Sequence, residues 1–557
     1  MDYRRLIPLL VFSFSLIMLW EAWTQHNRPA QTVPPVTTAQ QADPNASGTI
    51  PTPSTALATS SAVPPVSGGT QTASTQNVPN LVVTTDLLRA EISAQGGDIV
   101  RLELKNYKQK DQKDQVFILL DNGQHNFYNA QTGLIGTDLP THKTLFNLPA
   151  GELALQEGEN TLEVRLEAPE QNGITVSRIL TFHRGSYLVD VKYEIHNAGG
   201  EAITPHAYFQ FVRDSKPAET VEGFGVHTYT GPAFYTDAEK YRKIDFSDIE
   251  KNKAALPAAA TDGWAAMVQH YFVGAWLPEA GVQREFFARK LGSDMYSAGI
   301  IVPVATIPPG QTGTTDTRLY LGPQDQEKLK SIAPKLELVV DYGWLTIIAA
   351  PLFWVLSWFY GLTGNWGWAI VLVTITIKLI FFPLSAASYK SMAKMRVLAP
   401  RLQRLKEMYG DDKAKMQQEM MSLYRTEKIN PLGGCLPILV QIPVFISLYW
   451  VLLNSVEMRQ APWIWWIQDL SAKDPYFILP IIMGLSMIVQ TKLNPTPPDP
   501  IQAKVMMAMP IVFSIMFLWF PSGLVLYWVV NNLLSIAQQW QITRMIESGK
   551  TAPRKNT

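Results

Sequence analysis

A single cation, Lys378, interrupts the otherwise uncharged apolar run NWGWAIVLVTITIKLIFFPL at 365–384, and no other apolar run carries an internal carboxylate to pair with it. An ammonium at mid-helix depth costs about 2.5–3.5 kcal/mol on insertion scales, and ionisable groups kept inside a membrane usually face a wet cavity or a substrate path. The chemistry this residue type offers is a transient pull on a visiting carboxylate. The competing reading places Lys378 near the cytoplasmic helix end, where its stem would snorkel to the headgroups. On a helix, Thr374, Lys378 and Ser385 stand at i, i+4 and i+11 and share a face. Other apolar runs offer matching polar positions: Gln441 alone, Ser486 with Gln490 one turn on, and Tyr527, Asn531, Ser535 and Gln538 along the last run. Such residues can line a hydrophilic groove, or bond between helices for a fraction of a kcal/mol up to about 2. Repeated beside an unpaired lysine, they make packing alone the weaker account.

Most other chemistry is excluded by what is missing. All eight histidines lie at or before His270, so the membrane half has none for a metal site, a proton relay or a Ser/His triad. Cys435 is the only cysteine, which rules out an intramolecular disulfide. Gly549-Lys550-Thr551 lacks the upstream glycine of a phosphate-binding loop. The reading is therefore a non-enzyme without cofactor or metal.

The 557 residues have zero net charge, but its division is informative. Residues 24–341 hold 26 basic against 35 acidic side chains, and the rest hold 21 against 12. The start, MDYRR followed by Leu6 to Trp20, predicts an uncleaved membrane anchor over 1–24, since its exit lacks a small-x-small cleavage pattern. Residues 25–79, rich in Pro, Ser, Thr and Gln, read as a disordered tether. Over 80–340, short alternating segments such as NTLEVRLEA and YLVDVKYEIHN between Gly, Asn and Pro turns predict a large antiparallel β-sandwich. Its histidines and aromatics could line a sugar-like cleft, although scattered surface residues of that kind are more often inert.

Beyond Asp341 the chain is a polytopic α-helical membrane protein. Spans are expected near 366–386, 436–455, 476–491, 505–520 and 523–540, making six with the anchor. A further apolar run at 344–362 is assigned by charge parity to an amphipathic helix in the outer interface (341–364). Were it to span, the loop 388–430, with ten basic and five acidic residues, would fall outside. The core is then 365–541, followed by a basic tail at 542–557, with both termini cytoplasmic and the β-domain on the far side. Within 388–430, Met395, Leu398, Leu402, Leu405 and Tyr409 predict a helical hairpin standing in the cytoplasm. Met392 and Met421 are its candidate flexible contacts for an incoming chain, with Arg396 and Arg404 supplying charge. A net charge of +5 suits anionic membrane lipid or ribosomal RNA, making the ribosome a candidate partner, whereas DNA is not expected. A secondary transporter with a midplane polar site is the alternative. It normally shows paired repeats and broken helices, and neither is visible here.

The motifs MDYRRLIPLL, DYGWLTIIAAPLF, NWGWAIVLVTITIK, the stretch YKSMAKMRVLAPRLQRLKEMYGDDKAKMQQEMMSLYRTEKINPLGGCLPILVQIPVFISLYWVLLNSVE and FLWFPSGLVLYWVVNNLLSIAQQ resemble the YidC/Oxa/Alb family of membrane protein insertases, in its Gram-negative form. The resemblance covers the whole architecture. It implies a bacterial inner-membrane protein with a periplasmic β-supersandwich similar to galactose mutarotases. It also implies five core helices around a groove open to cytoplasm and lipid but closed to the periplasm. It further implies insertion, folding and assembly of nascent integral membrane proteins, alone or with the Sec translocon. Lys378 corresponds to the arginine of the family's groove, keeping the charge but losing the bidentate guanidinium. Thr374, Gln441 and Tyr527 match polar groove positions, and Trp528 stands where some relatives have a second tyrosine.

Overall fold

Period-two alternation is carried directly into strands: Leu188–Asn197 (LVDVKYEIHN) buries every second side chain over most of its length. The computed structural model describes residues 50–53, 78–110, 114–123, 126–217, 228–409, 412–427, 436–493 and 500–550. The expected anchor, most of the tether and the last seven residues of the tail lie outside these residues. Among the described residues seventeen strands build two sheets. The nine-stranded sheet runs from edge strand Glu285–Gly292, through Met295–Pro303 and His206–Asp214, to Asn80–Thr84 and the two-residue strand Leu153–Ala154. The eight-stranded sheet runs from Lys240–Lys243 to Thr161–Glu167. Strand pairs are antiparallel, except that Asn80–Thr84 and Leu153–Ala154 are parallel. The sheets face one another through buried aromatics, with the Phe209 and Phe211 rings of one lying 5.4 and 5.7 Å from Trp276 of the other. This is the expected antiparallel β-rich domain, with two short helices added, α1 (Phe246–Glu250) and α2 (Gln326–Ile332).

The remainder is helical: α3 (Thr346–Thr363), α4 (Trp366–Ile380), α5 (Phe382–Tyr409), α6 (Lys413–Thr426), α7 (Leu436–Asn454), α8 (Ile478–Leu493), α9 (Pro500–Met516) and α10 (Ser522–Lys550). By length and composition α3 could cross a membrane, as could α4 and the start of α5 taken as one bent span. One face of α3 is buried through Ala349, Phe353 and Leu356, while Ile347, Trp354, Trp358 and Leu362 stand exposed. The run expected as one span at 366–386 bends by 65° between α4 and α5. Pro383 explains the break, because it has no N–H for the Leu379 carbonyl and its ring crowds that carbonyl. After the bend α5 continues unbroken into the first arm of the hairpin. Ile481, Leu485 and Val489 form an exposed apolar stripe on α8, and Val505, Ile511, Val512 and Ile515 do the same on α9. Surfaces this apolar call for lipid in place of water.

The β-domain is seated directly on one end of the helices, at the segment that follows α7. Arg459 Nη2 donates to the Lys108 carbonyl at 2.6 Å, and its guanidinium carbon lies 5.3–5.4 Å from the rings of Phe117, Tyr271 and Phe272. Gln460 Nε2 bonds the same carbonyl, His270 Nε2 donates to Leu453 O at 3.1 Å, and Asn454 Nδ2 donates to Asp341 O at 3.0 Å. A guanidinium bonded and stacked against aromatic faces is a specific contact, not a passive touch.

Candidate functional site

Three helices bring the internal cation to its partners. On α4, Thr374 and Lys378 are both buried, at 1% and 6% exposure. Thr374 Oγ1 turns back to its own helix and donates to Ile370 O at 2.7 Å. Lys378 Nζ reaches α10 and donates to Ser535 Oγ at 2.8 Å. Ser535 spends its single hydroxyl proton on Asn531 O at 2.7 Å, so an oxygen lone pair is what faces the ammonium. Asn531 Oδ1 in turn accepts from Gln441 Nε2 of α7 at 2.5 Å. Tyr527, one turn before Asn531, is 1% exposed, and its ring lies 5.9 Å from Phe445 of α7 at an interplanar angle of 21°. Among the described residues no carboxylate lies within ion-pair distance of Lys378. An ammonium carries three donors. Only one is engaged by a described side chain, and that partner is neutral.

The other sequence candidates divide. Ser486 belongs to a different seam: it accepts from Asn532 Nδ2 at 3.1 Å and donates to Met483 O, tying α8 to α10. Gln490 is half-buried one turn further on. The stripe reading put Ser486 and Gln490 in one groove with Lys378; Ser486 is bonded to Asn532 of α10, while the adjacent Asn531 meets Gln441 of α7. Asn532 and Gln539, which donates to Leu493 O at 3.1 Å, escaped the sequence reading, which followed the Tyr527, Asn531, Ser535 and Gln538 stripe. In the hairpin, Leu398 is 5% exposed at the seam, and Arg401 Nη1 bonds Glu427 Oε1 across it at 2.8 Å. Met421 is 43% exposed, Met392 is half-buried and Arg404 is exposed. The side chain of Arg396 and the turn at 410–411 lie outside the described residues.

The side of the cluster toward the β-domain is covered by the segment 455–477. Asn365 caps α4 by accepting from Trp368 N, and its amide donates to Pro462 O and Trp463 O, both at 3.1 Å. A side chain at Gly367 would meet the Trp463 ring at 2.2 Å, so glycine is what lets that indole sit on the helix start. At the start of α10, Ser522 N and Gly523 N donate to Ala472 O and Leu470 O, and Ser522 Oγ donates to Asp469 O at 2.8 Å. Asp474 accepts from Trp466 Nε1 and from the backbone of Tyr476 and Leu479. One segment therefore pins the ends of α4, α8 and α10 together.

Helices with exposed apolar stripes, a buried cation among them and a docked antiparallel β-domain define the class: a membrane-embedded helical protein carrying a β-rich domain. Comparison with known proteins narrows this. Residues 80–355 match the family model described as YidC periplasmic domain, and residues 358–550 match that described as 60Kd inner membrane protein. The membrane protein insertase YidC of Aromatoleum aromaticum is 67% identical over 554 residues, covering 100% of each chain. That of Dechloromonas aromatica is 59% identical, covering 99% of each. The chain belongs to the YidC family of membrane protein insertases. Among solved structures, an active YidC insertase with its first transmembrane domain resolved aligns over 82% of this chain and 91% of that one, at 19% identity and TM-score 0.39. A galactose mutarotase related enzyme from Lactobacillus acidophilus aligns over 44% of this chain and 97% of that one, at 9% identity and TM-score 0.30.

Proposed function

We propose that this chain inserts nascent integral membrane proteins into a bacterial inner membrane by drawing their short polar segments into a hydrophilic groove lined by Lys378, Thr374, Gln441, Tyr527, Asn531 and Ser535. The observation that carries the reading is the Lys378 ammonium, buried and met by one neutral hydroxyl. A charge so placed attracts a carboxylate more strongly than bulk water allows, because part of its surroundings is of low dielectric. The covering segment 455–477 would keep that pull directed toward cytoplasm and lipid. Six spans serve this mechanism: the anchor at 1–24, α4 with the start of α5, α7, α8, α9 and α10, with both termini cytoplasmic. Charge parity keeps α3 in the outer interface. The basic hairpin of α5 and α6 receives clients through Met392, Met421, Arg396 and Arg404, and the Sec translocon, the ribosome and lipids are the partners its position suits. Helix α8 has 16 residues. It covers only ~24 Å against a hydrocarbon core of ~30 Å, which thins the barrier a client must cross.

Purified protein in liposomes, given matched single-span clients with zero, one or two translocated aspartates, tests the charge. Lys378→Arg should insert all three, and Lys378→Glu should fail most with two aspartates. Lys378→Ala should serve the neutral client. Equal sensitivity across the series would reject the electrostatic role and favour the snorkel reading.

A further inference from the structure

Residues 50–53, Ile-Pro-Thr-Pro, lie inside the stretch expected to be a featureless tether, yet they belong to the same compact unit as the β-domain and helices. Arg289 Nη1 donates to the Ile50 carbonyl at 3.0 Å across a sequence separation of 239 residues. Pro51, which follows that carbonyl, is buried, and Thr52 is exposed. Arg289 stands on Glu285–Gly292, the outermost strand of the nine-stranded sheet. Its guanidinium is aimed by its neighbours: Nε donates to Ser297 Oγ at 3.3 Å, and the guanidinium carbon lies 5.6 Å from the Phe287 ring. Register places Arg289 opposite Ser297 and Phe287 opposite Gly299. These residues share the sheet face turned away from the core, the core face being that of Phe286, Ala298 and Ile300.

Two prolines in four residues decide how such a segment can be held. Pro51 and Pro53 have no N–H, so the segment cannot add to the sheet edge as a ladder strand. The residue before each proline is held extended, which lowers the entropy lost on docking. What remains to be read is a carbonyl and the apolar face of a ring, and a guanidinium held beside an aromatic supplies both contacts. We propose that Arg289, Phe287 and Ser297 form a docking site for an extended Pro-X-Pro segment, and that its occupant is the chain's own residues 50–53. Docking shortens the link between the anchor and the β-domain. Residues 25–49 number 25, against 55 in 25–79, so the greatest reach falls from ~190 Å to ~85 Å.

The test uses the full chain in nanodiscs, on a Cys435→Ser background, with spin labels at Thr52→Cys and Ser293→Cys. A single short, narrow distance distribution is expected, broadening and lengthening in Pro51→Gly and in Arg289→Ala. Pro51→Gly leaves the β-domain core untouched, so its result stands even where Arg289→Ala folds poorly. A second arm replaces residues 50–53 with glycine and serine and adds a labelled Gly-Thr-Ile-Pro-Thr-Pro-Ser peptide. Saturable binding to the replaced chain, weakened about tenfold or more when the native segment is present or when Arg289 is lost, is the supporting result. A broad distribution in the parent, a narrow one indifferent to both substitutions, or no peptide binding to the replaced chain would overturn the proposal.

Discussion

Both halves of this molecule bury cations, and they treat them differently. In the β-domain Arg284 is 1% exposed, with its guanidinium donating to the carbonyls of Val282, Gly263 and Thr261. Arg178, fully buried, donates to Gly96 O at 2.9 Å and faces Asp98 at 3.4 Å. Arg284 is met by carbonyls that the sheet and its turns hold in place, as a structural ion requires, while Arg178 engages a carbonyl and a carboxylate through Nη1 and leaves Nε and Nη2 without a described partner. In the helices Lys378 meets one hydroxyl whose own proton is already committed. A helix keeps its carbonyls for itself, so an intramembrane cation must look to side chains, and few are supplied. Burial alone therefore does not separate these cations; what sets Lys378 apart is a single neutral hydroxyl partner, where Arg284 has several carbonyls and Arg178 a carbonyl and a carboxylate.

The sharpest way to break that contrast is to delete one cation from each half. Arg284→Ala strands several carbonyls and should cost about 3–5 kcal/mol, unfolding the β-domain at a much lower temperature in calorimetry. Lys378→Ala removes an under-paired charge and should shift stability by less than about 1 kcal/mol while lowering insertion of acidic clients. A large stability loss at Lys378 would make it a structural ion like Arg284.

Next in size is the division of labour between the two faces of the membrane. Deleting 390–428 with a short linker should leave a stable membrane-bound protein that inserts poorly. Removing much of 80–330 should spare insertion while the helices stay folded. Opposite outcomes in the same liposome assay would move the working surface to the periplasm.

A smaller effect concerns the seat between the halves. Burial there pushes Glu457 up to about 7 from the ordinary carboxylate range, with the like charges of Asp325 and Glu327 adding to it, while Arg459 follows two residues on. The folded state therefore holds a proton that the unfolded chain releases near pH 4.5. Stability from this group is fully present below about pH 4.5 and declines as pH rises through 7, by roughly 3 kcal/mol in all. Glu457→Gln should flatten the difference in unfolding midpoint between pH 5 and pH 8, and an unchanged pH slope would remove Glu457 from the seat's energetics. The smallest effect expected is at Gly367, where alanine should loosen Trp463 and raise hydrogen exchange in 462–470 without altering the fold.

Sequence by itself carried far. Alternation announced the sheets, apolar length announced the helices, and the charge interrupting 365–384 announced Lys378 before any partner was visible, because each of these signals is local and periodic. Tertiary structure decided the rest. That Ser535 is the partner of Lys378, that Ser486 turns to Asn532 and away from the cluster, and that Arg459 holds the β-domain all depend on which faces of distant segments meet. Residues 50–53 make the same point: composition read them as tether, and only a guanidinium 239 residues away gives them a place. Periodicity reports how a segment presents its faces, whereas pairing across long sequence separations is settled by packing, where the chain must find acceptors for what it has buried.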